Sequence, residues 1–196
     1  MISYIGGKAR IGKWIVPQIP TDIETYVEGF SGMFWVFFNM DLTKFPNLKT
    51  VVYNDYNRLN TNLMKWARQY DVLWDELAKY PCQQLGVEET PPEYAQMFNE
   101  YQKEVFDDNL VITDENSLEI AGKYVYVLTQ VFSGSKPETA SYTDYKGKYR
   151  CPFSFFSSTP NINLQSAGKA NLTASFSKNS LNLSTSLLAT LPMADG

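Results

Sequence analysis

The run ETYVEGFSGMFWVFFN, Glu24 to Asn39, restricts the possible folds of this chain more than any other stretch. Thr25 to Gly29 is short and rich in strand-forming residues, and it ends in a cluster of small turn residues. Met33 to Asp41 is apolar on all sides, which predicts a buried helix. An acid, Glu28, closes the strand. In an α/β sheet, a strand that turns directly into a helix presents ligands at its carboxyl edge. A second run, LKTVVYND, ends in another acid, Asp55, 27 residues further on. Two such strand ends suggest a pocket for a molecule that carries an adenosine ribose.

Composition narrows the chemistry. The 196 residues allow one domain with a full core and a small appendage. There is no histidine. That excludes His-based acid/base catalysis, Ser-His and Cys-His nucleophiles, and nearly all zinc sites. The two cysteines, Cys82 and Cys151, are too few and too far apart for a disulfide framework or a metal cluster. The start, MISYIGGKARIGKW, is basic but lacks the apolar core of a signal peptide. No apolar run approaches the ~18 residues of a membrane span. These features predict a soluble, cytoplasmic protein without a metal or a membrane partner.

The net charge of −4 hides an asymmetry. Residues 1–144 hold 12 Lys+Arg and 20 Asp+Glu, whereas residues 145–196 hold 5 and 1. A local basic patch binds phosphate even on an acidic protein.

Further elements follow from periodicity. Residues 10–19 place Ile11, Trp14, Ile15 and Ile19 on one face of a short helix. Lys49 to Asn54 is the second strand. Helices are predicted over residues 57–70, with Leu59, Leu63, Trp66 and Ala67 at helical spacing, and over 72–80. Pro91-Pro92 opens another helix that runs to about Phe106. Residues 117–132 form the last, with Asn116 or Ser117 as N-cap. The Tyr/Thr/Lys alternation of Ser133 to Phe153 around Lys146-Gly147 suggests a β-hairpin. That hairpin brings Lys146, Lys148 and Arg150 together, although charge runs are as often simply solvated.

No single motif is decisive. Gly6-Gly7-Lys8 lets backbone approach a ligand while Lys8 supplies charge, but it lacks the spacing of a Walker loop. GFSGMF fails the G-x-G-x-x-G dinucleotide spacing. Asp55 fits a carboxylate that accepts ribose hydroxyls. It fits equally well as a cap of the next helix, a role that Asn54 or Asn57 can share.

Taken in order, YIGGK, YVEGFSG with VFFN, NDYNRLNTNLMKW, YVYVLTQVFSG and YKGKYRCPF resemble the Dam-type DNA adenine-N6 methyltransferases, over residues 2 to about 153. The resemblance implies a Rossmann-like α/β sheet that uses S-adenosylmethionine. Residues 1–56 match its cofactor-binding part, and residues 57–153 a helical and β-hairpin DNA-recognition insert. By resemblance, Tyr4, Gly7, Lys8, Glu28, Phe30, Gly32 and Asp55 bind the cofactor. Tyr145, Lys146, Lys148, Tyr149 and Arg150 contact double-stranded DNA, where Lys and Arg meet phosphates and Arg can read guanine.

Two departures stand out. Phe34-Trp35 occupy the place of the family's second glycine and serine, which predicts crowding of the cofactor or a different loop path. The family's Asp/Asn-Pro-Pro-aromatic box, which holds the target amine beside the stacked base, does not occur. The only Pro-Pro lies in Thr90-Pro91-Pro92-Glu93-Tyr94, which reads as a helix start. No catalytic residue is therefore assigned. After Phe153 the composition breaks: residues 154–196 hold nine Ser and five Asn, and no acid occurs between Asp144 and Asp195. At the chain's overall rate about five acids are expected there. This suits a flexible tail, or a truncated or frame-shifted gene. The preferred expectation is the N-terminal part of an adenine methyltransferase, inactive by itself. The alternatives are a non-catalytic DNA- or cofactor-binding module and an unrelated nucleotide-binding α/β protein.

Overall fold

A computed structural model describes residues 7–132, 135–148 and 150–152. The chain divides after residue 70 into two compact units. Tyr4, Tyr149 and the tail at 154–196 lie outside the described residues.

The first unit holds α1 (Gly12–Ile15), β1 (Thr25–Glu28), α2 (Trp35–Phe38), β2 (Thr50–Tyr53) and α3 (Arg58–Ala67). The two strands run parallel, with Thr25 beside Thr50 and Glu28 beside Tyr53. Their side chains alternate across the pleat: Tyr26, Val51 and Tyr53 are buried, whereas Val27 is exposed. Asn57 caps α3 by accepting from the Leu59 N–H at 2.9 Å, and Leu59, Leu63 and Ala67 form its buried face.

Two predicted helices are shorter than their hydrophobic patterns. The run at 10–19 is one α-turn followed by a 3-10 turn over Val16–Gln18. Gly12 is buried against the Asn39 side chain, and a Cβ there would lie 2.8 Å from Asn39 Nδ2. Ile11 and Trp14 are exposed, Trp14 at 76%, whereas Ile15 and Ile19 are half-buried, so the face expected to be apolar is only partly covered. The helix expected over 33–41 is reduced to α2. Phe34, its N-cap, has φ 57° and ψ 29°, a left-handed conformation. At the other end Asn39 donates its side-chain amide to the Trp35 carbonyl at 2.6 Å. The Asn39 and Met40 N–H groups bond carbonyls three residues back, at 3.0 and 2.9 Å, which tightens the turn and ends it. The predicted burial nevertheless holds for Met33 through Phe38 and for Met40.

The second unit contains α4 (Tyr70–Leu77, which begins at the divide), α5 (Pro92–Val105) and α6 (Ser117–Gln130). Pro91 is the N-cap of α5 and Pro92 its first residue, so the lone Pro-Pro is a helix start, as the sequence predicts. Asn116 occupies the N-cap position of α6, but its side-chain oxygen accepts from the Thr113 N–H at 2.8 Å instead of from the helix. Tyr80, Phe98, Tyr126, Val127 and Val131 form a core cluster, with Tyr101, Phe106 and Tyr142 against it. Gly122 permits close helix packing: a Cβ there would sit 2.8 Å from Glu76 Cγ and from the Tyr80 ring. Lys123 is almost fully buried but paired, donating to both Glu104 oxygens at 2.7 Å and to Glu119 at 2.6 Å. Burial opposes its charge, but the two carboxylates outweigh that and raise its pKa.

The hairpin expected over 133–153 is not formed among the described residues. Its turn exists: Lys146 and Gly147 have φ of 43° and 71°, and the Lys148 N–H donates to the Tyr145 carbonyl at 3.3 Å. The arms, however, do not pair with each other. Gln83 and Arg150 form an antiparallel bridge, the Gly86 N–H donates to the Gly147 carbonyl, and the Gly147 N–H donates to Val87, both at 2.9 Å. The alternating pattern was real, but its partner is residues 83–87. The same approach corrects the reading of the cysteines: Cys82 and Cys151 are joined in a disulfide across a separation of 69 residues. Two cysteines make no framework, yet distance along the chain did not keep them apart.

Candidate functional site

The sequence-predicted residues fall into two groups, one in each unit. The first lies at the carboxyl ends of β1 and β2. The Ser31 N–H donates to the Asn54 carbonyl at 2.9 Å and the Asn54 N–H to the Glu28 carbonyl at 3.1 Å. Ser31 Oγ donates to the same Glu28 carbonyl at 2.7 Å, and Asn54 Nδ2 donates to Gly29 at 2.8 Å. These bonds fasten the turn after β1 to the end of β2.

Asp55 is the centre of this arrangement. Its Oδ2 accepts from the Gly32 N–H at 2.6 Å. Its Oδ1 accepts from the Asn57 N–H at 2.8 Å and from Asn60 Nδ2 at 3.2 Å. The capping role belongs to Asn57, which leaves Asp55 to pin the glycine turn. A carboxylate has about four acceptor positions; the described residues fill three, and toward them Oδ2 keeps one.

Glu28 Oε1 accepts from the Tyr26 hydroxyl at 2.7 Å and from the Phe37 N–H at 2.9 Å. Burial raises its pKa above the ordinary glutamate value, against the opposing pull of Tyr26, the Phe37 N–H and the Lys8 charge. Lys8, four residues before the start of α1, therefore acts on the same carboxyl that the resemblance selects. Gly7 and Lys8 are exposed.

Phe34 turns its ring into the interior of the first unit. Its backbone follows the left-handed path that glycine takes most easily, while its ring is 3% exposed. The ring stacks on Phe37 at 4.7 Å between centroids and meets Tyr53 edge-on at 5.1 Å. A left-handed non-glycine residue costs ~1–2 kcal/mol, and burying a phenylalanine returns ~1.5–3 kcal/mol. The Tyr53 hydroxyl adds a hydrogen bond to the Gly32 carbonyl at 2.7 Å. Phe30, by contrast, is 85% exposed on the turn. Tyr56, one residue past Asp55, is 96% exposed, and sequence reasoning passed over it. The signal was present: an aromatic ring in the polar run NDYN has no apolar stripe to join.

The second group lies on the segment 143–150. Lys146 and Lys148 are exposed. The Arg150 guanidinium stacks over the Tyr145 ring at 4.3 Å, and the Tyr145 hydroxyl donates to the Val131 carbonyl at 2.7 Å. Tyr145 thus has a structural role that the sequence did not indicate. Asp144 belongs to the same turn; the Lys146 N–H and the Thr90 hydroxyl hold its carboxyl below the usual range. The segment is set in place by Gln83, which is buried. Gln83 Nε2 donates to Gln130 Oε1 at 2.7 Å and to the Thr143 carbonyl at 2.9 Å, and Gln83 Oε1 accepts from the Tyr145 N–H at 2.7 Å. No local pattern in the sequence marks Gln83 for this role.

Two parallel strands, each followed by a helix and each with an acid at or just past its end, place the first unit among the α/β proteins. The family model for D12 class N6 adenine-specific DNA methyltransferases matches residues 4–186. The chain belongs to that family. Membership makes the sheet part of a Rossmann-like fold and connects the chain with DNA adenine methylation and with DNA as substrate; the family's methyl donor is generally S-adenosylmethionine. The match runs beyond the motif resemblance, which ends near residue 153. Neither the curated proteins nor the solved structures include a match to this chain. Among the described residues, no helix is long and apolar enough to cross a membrane. Nor do the described residues include a group of three His, Cys, Asp or Glu that could hold a metal.

Proposed function

We propose that this chain binds S-adenosylmethionine at the carboxyl ends of β1 and β2 and double-stranded DNA on the basic segment 143–150. The observation that carries this reading is the Asp55 carboxylate, fixed at the end of β2 with one acceptor position to spare, in a chain of the adenine-methyltransferase family. The residues fit the cofactor. Asp55 Oδ2 accepts a ribose hydroxyl, and the face of Tyr56 takes the adenine. Glu28 places negative charge at the strand end, suited to a sulfonium, and Lys8 suits the methionine carboxylate. When bound, S-adenosylmethionine supplies an electrophilic methyl group. Lys146 and Lys148 meet phosphates, and Arg150, oriented by Tyr145, reaches a phosphate or a base edge.

The Asp/Asn-Pro-Pro-aromatic box does not occur in the 196 residues. We therefore propose that these 196 residues alone bind without transferring methyl, as a binding module that lacks the box. Titration calorimetry tests the cofactor half: S-adenosylmethionine binds, and Asp55→Ala weakens it at least tenfold (about 1.4 kcal/mol). A thermal shift with adenine nucleotides but none with S-adenosylmethionine would favour an unrelated nucleotide-binding role instead. A labelled methyl-transfer assay on unmethylated duplex DNA tests inactivity, which turnover by the chain alone would overturn.

A further inference from the structure

We infer that the Cys82–Cys151 disulfide is a redox-sensitive clasp on the basic segment, and that affinity for duplex DNA follows its state. The inference rests on the proposed DNA-binding role of residues 143–150. Three observations lead to it. The bond joins the residues directly next to the Gln83–Arg150 bridge, so it closes one end of the pairing between 83–87 and 143–150. Among the described residues that pairing has four backbone hydrogen bonds, at 2.7 and 3.0 Å between Gln83 and Arg150 and at 2.9 Å for each bond linking Gly147 with Gly86 and Val87. No strand ladder backs it, and an isolated pair of extended segments is marginal in water. Beside the Gln83 side chain and the Tyr145 hydroxyl, the covalent link is thus the restraint that directly adjoins Arg150 at this end of the segment. Finally, a protein acting on DNA works among reducing thiols, where a disulfide is transient or redox-sensing more often than structural.

The exchange is a balanced two-electron step with a small-molecule disulfide such as glutathione disulfide. Cys82 is the more accessible sulfur, since Cys151 is fully buried. The Cys82 thiolate attacks the small disulfide, forms a mixed disulfide and expels one thiolate. The Cys151 thiolate then attacks the Cys82 sulfur and expels the second. Two protein thiols lose two electrons and two protons, and the small disulfide becomes two thiols. Excess small thiol reverses both steps.

The test uses the full chain, equilibrated with glutathione disulfide or with excess reduced glutathione, its free thiols counted by alkylation and mass. Two readouts follow. Trypsin cleaves after Lys146 and Lys148 several-fold more slowly in the oxidised form. Duplex DNA at low salt binds the oxidised form about tenfold more tightly, because the reduced segment must be ordered on binding. Cys82→Ser and Cys151→Ser behave as the reduced form in either buffer, and the reduced wild-type chain controls for any misfolding of the variants. Failure of the thiols to convert under glutathione disulfide overturns the clasp, as do equal cleavage and equal affinity in both states. If every form binds DNA alike, the clasp alone falls; if no form binds duplex DNA, the DNA role falls and the clasp with it.

Discussion

The two units hold their candidate groups in opposite ways. In the first, the groups expected to meet the ligand also build the loop. Asp55 accepts the Gly32 and Asn57 N–H groups, and Glu28 accepts the Phe37 N–H. In the second, Lys146 and Lys148 are exposed on a turn whose place is set by others: the Gln83 side chain, the Tyr145 hydroxyl and the Cys82–Cys151 bond. A substitution at the sheet edge therefore affects fold and binding together. On the basic turn the two separate.

The sharpest test of that contrast is Gln83→Ala. It leaves the Gln130 side chain, the Thr143 carbonyl and the Tyr145 N–H without their partner and should destabilise by about 3 kcal/mol in urea unfolding. The DNA affinity of the second unit should fall with it, although Gln83 itself is buried. Gly122→Ala comes next. The added methyl meets Glu76 and Tyr80 at 2.8 Å; overpacking costs ~1–3 kcal/mol and helix propensity returns about 1 kcal/mol, so a net loss of about 1 kcal/mol is expected by the same measurement.

Glu28→Gln runs the other way. The amide keeps the Oε1 acceptor for Tyr26 and Phe37 and removes a charge that burial disfavours. Because the folded pKa of Glu28 is raised, its protonated form supports the fold below the ordinary glutamate value. That contribution is lost as pH rises through the folded value. The variant should therefore be more stable than wild type at neutral pH by less than about 1 kcal/mol, since the carboxyl keeps partial contact with water. The advantage should vanish in thermal melts well below the ordinary glutamate pKa, while S-adenosylmethionine binding weakens at neutral pH. The smallest stability change belongs to the double variant Lys146→Ala, Lys148→Ala, within about 0.5 kcal/mol. In the same protein the salt slope of duplex DNA binding should drop by about 2. A large stability loss there would erase the contrast between the units.

What the sequence disclosed and what it hid divide along the range of the interactions. The strands at 25–28 and 50–53, the helix cap at Asn57 and the Pro91-Pro92 start each depend on neighbours a few residues away. The hairpin misreading and the cysteine misreading share one cause. Residues 82–87 and 143–151 meet through contacts some 60 residues apart, and alternation in one segment does not name its partner. The truncation of α2 was hidden for a different reason. Its apolar pattern was correct for burial, but the Asn39 amide and the left-handed Phe34 ended the helix. At the candidate site, the position of Asp55 just past the end of β2 was legible. The choice between capping and pinning required the position of the Gly32 N–H.

Phe34 gives position 34 an inverted substitution ranking. Alanine is ordinarily the mildest truncation of a buried aromatic, because it removes contacts and leaves the backbone at ease. Here the backbone is what the ring keeps in place. Phe34→Ala discards the stacking on Phe37 and Tyr53 and retains the left-handed strain, whereas Phe34→Gly discards the same contacts and relieves it. Glycine should therefore be the better tolerated of the two. At this bend the aromatic interior upholds the course of the main chain, a task that glycine would perform through backbone freedom alone.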